Sequence, residues 1–303
     1  MSLHSDFLKK LENAIHEQGI HISGEIRCIP DKFQRFKDAR YPWKGKSCYV
    51  KISSRADGAL FGDWRQDIHQ RWYEHTWKEL STEEKKRRKF EVEQEKKRVS
   101  FDQEEATDNC KITFNLSDPL RASHPYLLRK RIVPYGGVRQ YAEMIVLPLY
   151  NHLGELKTLQ YIYEDGFKKF HAGAPVKGNF LILGNEITNT LRICEGWSTG
   201  CSIHEHSKDT VVVAFSKSNM LAVASSFKKM LPNHKLIVCA DNDHSQDVNY
   251  GLKMALLIKK TLGIPVCYPD FSAYPNNNHL SDFNDLANVA GVTEMQRQLL
   301  NIE

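Results

Sequence analysis

Along the last third of the chain, short continuous apolar runs alternate with segments of helical period. The runs lie near 191–195, 210–215, 235–240 and 264–268, and the helical segments near 198–206, 218–230 and 249–262. Apolar runs with no polar face suit strands buried on both sides, and the repetition of strand, helix and strand predicts a parallel sheet with right-handed crossovers. Upstream the period changes. Met144–Tyr150, Leu156–Tyr163 and Phe167–Phe170 predict a meander turning at Asn151–Gly154 and at Glu164-Asp165-Gly166, with a short helix at 125–128 before it. Ser81-Thr82-Glu83-Glu84 has the form of a capping box and opens a highly charged helix predicted to run past residue 100. Nearer the start, 24–28, 47–53 and 59–64 predict the strands of a small β module. Phe7, Leu8, Leu11, Ala14 and Ile15 give 4–18 the period of an amphipathic helix.

These patterns predict an α/β protein in four parts: a small β-rich module (1–78), a charged helical connector (79–118), a basic α+β subdomain (119–186) and a parallel-sheet domain (187–303). Composition agrees with a folded chain, being 41% hydrophobic and 26% charged over 303 residues. No apolar stretch approaches the roughly 18 residues of a bilayer span, and the polar start is unlike a signal peptide. A cytoplasmic protein without membrane partners is expected. The seven cysteines are odd in number and widely spaced, with no C-x-x-C pair, which argues against disulfides and against a zinc ribbon.

Net charge is only +5, but the bases are clustered. Lys32, Arg35, Lys37, Arg40, Lys44, Lys46, Lys51 and Arg55 crowd one segment, and Arg129-Lys130-Arg131 forms another group suited to a polyanion. The run Lys85–Lys89 is interleaved with glutamates on either side and reads as a solvated helix face. Trp43, Tyr49, Phe61 and Trp64, amid the N-terminal bases, suit either a stacking platform for single-stranded DNA or the core of the β module; Phe61 and Trp64 are expected in the core, and Trp43 is left open.

Two acidic clusters fall at the ends of predicted strands. Glu195 closes the run Leu191–Cys194, and Asp241-Asn242-Asp243 follows Leu236–Ala240, at the sheet edge where open α/β folds place ligands. Alternation on an extended path puts Asp241 and Asp243 on one side. Ser281-Asp282-Phe283-Asn284-Asp285 supplies a further acidic group after the last strand. Hard oxygen donors of this kind select Mg²⁺ or Mn²⁺ over zinc, and such ions can assist phosphoryl transfer.

The segment from about 189 to 286, with Glu195 and Asp241-x-Asp243, resembles a Toprim domain. His124–Lys130, Val138-Arg139-Gln140, Leu147-Pro148-Leu149-Tyr150, Gly154, Leu159-Gln160, Lys168-Lys169-Phe170 and Lys177-Gly178 resemble the core of phage- and plasmid-type Toprim primases. Gly58–Arg65 is similar to a module that often accompanies them. The resemblance implies a DNA primase-like nucleotidyltransferase that uses single-stranded DNA template and nucleoside triphosphates. Glu195, Asp241 and Asp243 would act as catalytic and metal-holding residues, with Asp285 or Asp282 as a later ligand. Arg129, Arg131, Arg139, Lys168, Lys169 and Lys177 would contact nucleic acid or nucleotide. Two other functions use the same fold: a metal-dependent nuclease or nickase, and a catalytically silent replication accessory that binds single-stranded DNA. One departure stands out, since replicative bacterial primases carry a further Asp where this chain has Thr199. No Walker-type phosphate loop is present, so any helicase would be a separate replicative partner.

Overall fold

The computed structural model describes residues 3–66, 68–75, 80–245, 248–274 and 277–302. They form two compact units, Met1–Lys96 and Lys97–Glu303. The expected boundary at 78/79 falls on residues outside those described. Among the described residues no helix is long and apolar enough to cross a membrane.

In the first unit the amphipathic period of the N-terminus becomes α1 (Leu3–Glu17). The five-stranded antiparallel sheet that follows is β1 (Ile22–Ser23), β2 (Phe33–Asp38), β3 (Cys48–Ile52), β4 (Gly58–Asp63) and β5 (Ile68–Tyr73), paired in chain order. Phe7, Leu11 and Ile15 of α1 close one face of it over Cys48, Val50, Ile52, Ala59 and Phe61. Residues 24–28, expected as a strand, are irregular apart from a bend at Gly24, whereas β2 and β5 lie where no strand was expected. Both carry polar residues such as Gln34, Arg35, His69 and Arg71, because only one side of the sheet is covered. Trp64, expected in the core, is 44% exposed, while Phe61 is buried as expected.

α2 (Thr82–Asn115) is the charged helix, and its start is the expected capping box. The Ser81 hydroxyl accepts from the Glu84 N–H, and Ser81 donates back to the Glu84 carboxylate through its own N–H and hydroxyl. The helix crosses the boundary between the units at Lys96 and Lys97.

The second unit opens with β6 (Asp118–Pro119) and α3 (Pro125–Lys130). The meander then runs through β7 (Arg139–Tyr141), β8 (Met144–Tyr150), β9 (Leu156–Ile162) and β10 (Lys168–Phe170), all antiparallel in the order β10-β9-β8-β7-β6. The second sheet is built from β11 (Leu181–Leu183), β12 (Thr190–Cys194), α4 (Trp197–Ser207), β13 (Thr210–Val213), α5 (Lys217–Met230), β14 (Lys235–Cys239), α6 (Tyr250–Leu262) and β15 (Val266–Cys267). Its strand order is β11-β13-β12-β14-β15, parallel except for β11. α7 (Phe283–Ala290) and α8 (Val292–Leu299) complete the chain.

Alternation along β12 sends Leu191 and Ile193 to a core shared with α5 and α6, and Cys194 to the opposite core. That opposite core also takes Ile145, Leu147, Leu149 and Ile162 of the meander, Tyr126 and Leu127 of α3, and Trp197, Phe283 and Leu286. The meander and the parallel sheet therefore share one interior. Tyr150 and Phe180 exchange backbone hydrogen bonds at 2.8 and 3.0 Å, tying β8 to the segment entering β11. All seven cysteines are free thiols.

Candidate active site

β12 and β14 are neighbours in parallel register, Cys194 opposite Cys239, so the residues that follow them emerge side by side at the C-terminal edge of the sheet. Glu195 leaves β12 there and Asp241 leaves β14. The Glu195 carbonyl accepts from the Phe215 N–H at 2.8 Å, which fixes its backbone against the end of β13. The Asp241 backbone is met by α6 at Gly251, where a Cβ would lie 2.4 Å from the Asp241 carbonyl oxygen. Only glycine allows that approach. Asn242 braces the loop by donating its N–H to the Ser281 carbonyl (2.7 Å) and its side-chain amide to the Pro269 carbonyl (2.7 Å). Asn249 accepts from the Asp243 N–H at 3.1 Å.

The electrostatics single this edge out. Glu195 Oε2 and Asp241 Oδ1 are fully buried and have no hydrogen-bond partner among the described residues. Burial pushes the Glu195 carboxyl up to about 6, with Asp243 and Asp282 adding to the rise and Lys217 and Lys168 opposing it. Burial also raises Asp241 well above the ordinary carboxylate range, reinforced by Glu195, Asp282 and Asp243. Unpaired buried carboxylates that feel one another in this way mark a site prepared for a cation.

A cation is already present. Lys217, the first residue of α5, places Nζ 2.5 Å from Asp243 Oδ2. Burial works against the lysine's charge, but Glu195, Asp243 and Asp241 together outweigh it and hold its pKa above the usual value. Sequence reading missed this residue. The signal was available: β13 ends at the same sheet edge, and Ser216-Lys217 follows it as Glu195 follows β12.

The two later acids have different partners. Burial raises Asp282, which caps α7 by accepting from the Asp285 N–H (2.9 Å) and also accepts from the Thr199 hydroxyl. Thr199 thus contributes a neutral donor where another acid would repel Asp282. Asp285 accepts from Lys130 Nζ at 3.2 Å and from the Ser281 N–H at 3.1 Å, and its charge adds to the rise at Asp282 while that of Lys130 opposes it.

The bases are dispersed. Lys168 on β10 is exposed, and its charge reaches Glu195. Lys169 lies beside it, exposed. The loop carrying Lys177 is anchored to the start of α5, since the Gly178 N–H donates to Asn219 Oδ1 at 2.6 Å. Arg129 donates to the Glu164 carbonyl (2.8 Å), and Arg131 ends α3 in the left-handed region at φ 52°. Arg139 donates to the Phe114 carbonyl (3.0 Å) and covers the Phe114 ring, so its guanidinium is engaged with α2.

Among the described residues no three His, Cys, Asp or Glu side chains are gathered closely enough to hold a metal ion as they stand. The Lys217 pair commits one oxygen of Asp243 elsewhere. The orphaned oxygens of Glu195 and Asp241 and the all-carboxylate donor set nevertheless fit a hard divalent ion.

Residues 190–292 match the Toprim domain family, and the second unit carries that domain behind its meander. The α/β class and the strand order around Glu195 and Asp241 are those of this domain in the present chain. Two proteins of Escherichia coli named DNA primase TraC are similar to it. One is 29% identical over 196 residues, covering 57% of this chain and 18% of that protein; the other is 26% identical over 219 residues, covering 66% and 15%. The chain thus spans less than a fifth of the length of these curated relatives. Among solved structures, a fragment of the Aquifex aeolicus primase comprising zinc-binding and RNA polymerase domains aligns with a TM-score of 0.44 at 12% identity, over 100% of this chain and 86% of that one. The primase fragment of the bacteriophage T7 primase-helicase aligns with a TM-score of 0.42 at 14% identity, over 61% and 77%.

Proposed function

We propose that this chain is a DNA primase-type nucleotidyltransferase that synthesises short primers on single-stranded DNA. The observation that carries the reading is the pair of buried, unpartnered carboxylate oxygens on Glu195 and Asp241, raised in pKa and facing Lys217. Glu195 and Asp241 would hold Mg²⁺ or Mn²⁺, with Asp282 beside them and Asp243 joining once it leaves Lys217. When bound, the metal supplies Lewis-acid stabilisation of phosphoryl oxygens and lowers the pKa of the attacking 3′-hydroxyl.

The chain's own residues supply the rest. Lys217, released from Asp243, remains at the N-terminus of α5 and is placed to pair with a nucleotide phosphate. Lys168, Lys169 and Lys177 offer charge to the template or the triphosphate, positioning it without reading its sequence. Asp285 is paired with Lys130, whereas the charge of Asp282 reaches both Glu195 and Asp241, so Asp282 is the later acid we assign to the inner set. Arg139 we assign to holding the meander against α2 rather than to DNA. A separate helicase would supply the single strand.

The test is primer synthesis on single-stranded DNA with labelled nucleotides and Mg²⁺ or Mn²⁺, comparing wild type with Asp241→Ala. Metal-dependent oligonucleotides from wild type alone are expected. An Asp241→Ala protein that primes normally overturns the proposal, and nucleotide-independent cleavage of the template would move the same acids to a nuclease.

A further inference from the structure

We propose that the open face of the N-terminal sheet is a second DNA contact, a stacking platform for the bases of a single strand. The choice of DNA rests on the function proposed above; the platform itself rests on geometry.

Register divides the side chains of β2–β5 cleanly. Cys48, Val50, Ile52, Ala59 and Phe61 face α1. The opposite face presents Phe33, Arg35 and Lys37 from β2, Tyr49 and Lys51 from β3, Leu60 and Gly62 from β4, and His69 and Arg71 from β5. At one end of this face three rings lie nearly flat on one another. Phe33 and Tyr49 are 5.1 Å apart at 14°, Tyr49 and Trp64 are 4.3 Å apart at 31°, and Phe33 and Trp64 are 5.7 Å apart at 28°. Tyr49 lies over Gly62, where a Cβ would come within 2.7 Å of its hydroxyl, and that hydroxyl bonds His69 Nδ1 at 2.6 Å. The bottom ring is thus fixed, whereas Phe33 and Trp64 are 45% and 44% exposed.

A core assignment does not account for these rings. Phe33 and Trp64 stand apart from the apolar cluster beneath α1 and are partly exposed. The charge around them selects the occupant. Arg35 stacks over Trp64 at 4.9 Å, and Lys37 and Arg71 are exposed on the same face. β2–β5 place no acidic side chain on it. The acids that approach, Glu91 and Glu95 of α2, are paired with Arg55 and Lys51. A second copy of this face would be repelled, and an acidic peptide would satisfy the bases but leave the rings uncovered. A single strand supplies phosphates and planar bases together.

The test uses the full chain and a short fluorescein-labelled oligothymidylate. Anisotropy titrations should show Trp64→Ala and Phe33→Ala each weakening binding by about tenfold at both low and high salt, as lost stacking predicts. Ultraviolet crosslinking of wild type to a 5-bromodeoxyuridine oligonucleotide should place adducts at Phe33 or Trp64, and decides the matter if either variant fails to fold. Crosslinks only elsewhere, folded variants with unchanged affinity, or polyglutamate competing as well as the oligonucleotide would each overturn the platform. Wild type that crosslinks here yet makes no primers sinks the primase reading alone. Primer synthesis by Trp64→Ala with undiminished oligonucleotide affinity sinks the platform alone.

Discussion

Glu195→Gln should stabilise the metal-free protein, although it removes a carboxylate proposed to hold the metal. The Glu195 carboxyl has an ordinary value of 4.5 and is pushed up to about 6 in the fold, because burial, with Asp243 and Asp282, outweighs the opposing charges of Lys217 and Lys168. Below pH 4.5 the folded and unfolded forms are protonated alike and the residue contributes nothing to pH dependence. Between pH 4.5 and 6 the folded form binds more protons, so stability falls as pH rises. Above pH 6 the full difference remains, about 2 kcal/mol at 1.36 kcal/mol per pH unit. Asp241, also raised by burial, adds in the same direction. Glutamine keeps the shape and removes the charge, so at pH 7 in chelator the variant should be more stable by about 2 kcal/mol, and near pH 4.5 the two proteins should converge. Hydrogen exchange of the β12 and β14 amides, measured at both pH values, reports the second unit alone. Mg²⁺ should then reverse the order, because only wild type regains stability by binding it through this carboxylate. A Gln variant less stable than wild type at pH 7 in chelator, by an amount that does not change with pH, would refute the reasoning.

Lys217→Met should lower metal-free stability by about 1–2 kcal/mol, since it strips a charge-assisted bond from a half-buried pair. The same change should tighten Mn²⁺ binding by about 5- to 30-fold, read by titration calorimetry, because Asp243 no longer has a resident partner. Gly251→Ala forces a Cβ to within 2.4 Å of the Asp241 carbonyl. It should cost about 1–3 kcal/mol of stability and weaken Mn²⁺ binding as Asp241 is displaced, while Gly263→Ala, distant from the acids at the far end of α6, should leave Mn²⁺ affinity unchanged.

The parallel sheet was readable because its strands are buried on both sides and spell uninterrupted apolar runs, as in Val211–Val213 and Leu236–Cys239. Glu195 and Asp241 were found by asking what such runs deliver at their ends. Lys217 escaped because a lysine at a helix start looks like a solvated residue, and nothing local signals that three carboxylates converge on it. The pairing of Asp285 was equally hidden, since its partner Lys130 is far away in sequence but 3.2 Å from it. β2 and β5 were missed for the opposite reason to the buried strands: with one face open, Phe33–Asp38 reads as polar and lacks strict alternation of apolar side chains. Trp64 shows the limit of composition, because an aromatic residue beside a strand end can lie on either side of a sheet until register is known.

The common interior of the meander and the parallel sheet bears on how this protein could be recombined. Cutting near residue 186 would part β11 from β13 and lay bare Leu147, Leu149, Trp197 and Phe283 at once. A chimera that swapped the Toprim sheet alone would inherit half an interior cut to fit a different donor. The second unit, Lys97–Glu303, keeps that interior whole and carries β10 together with Glu195 and Asp241.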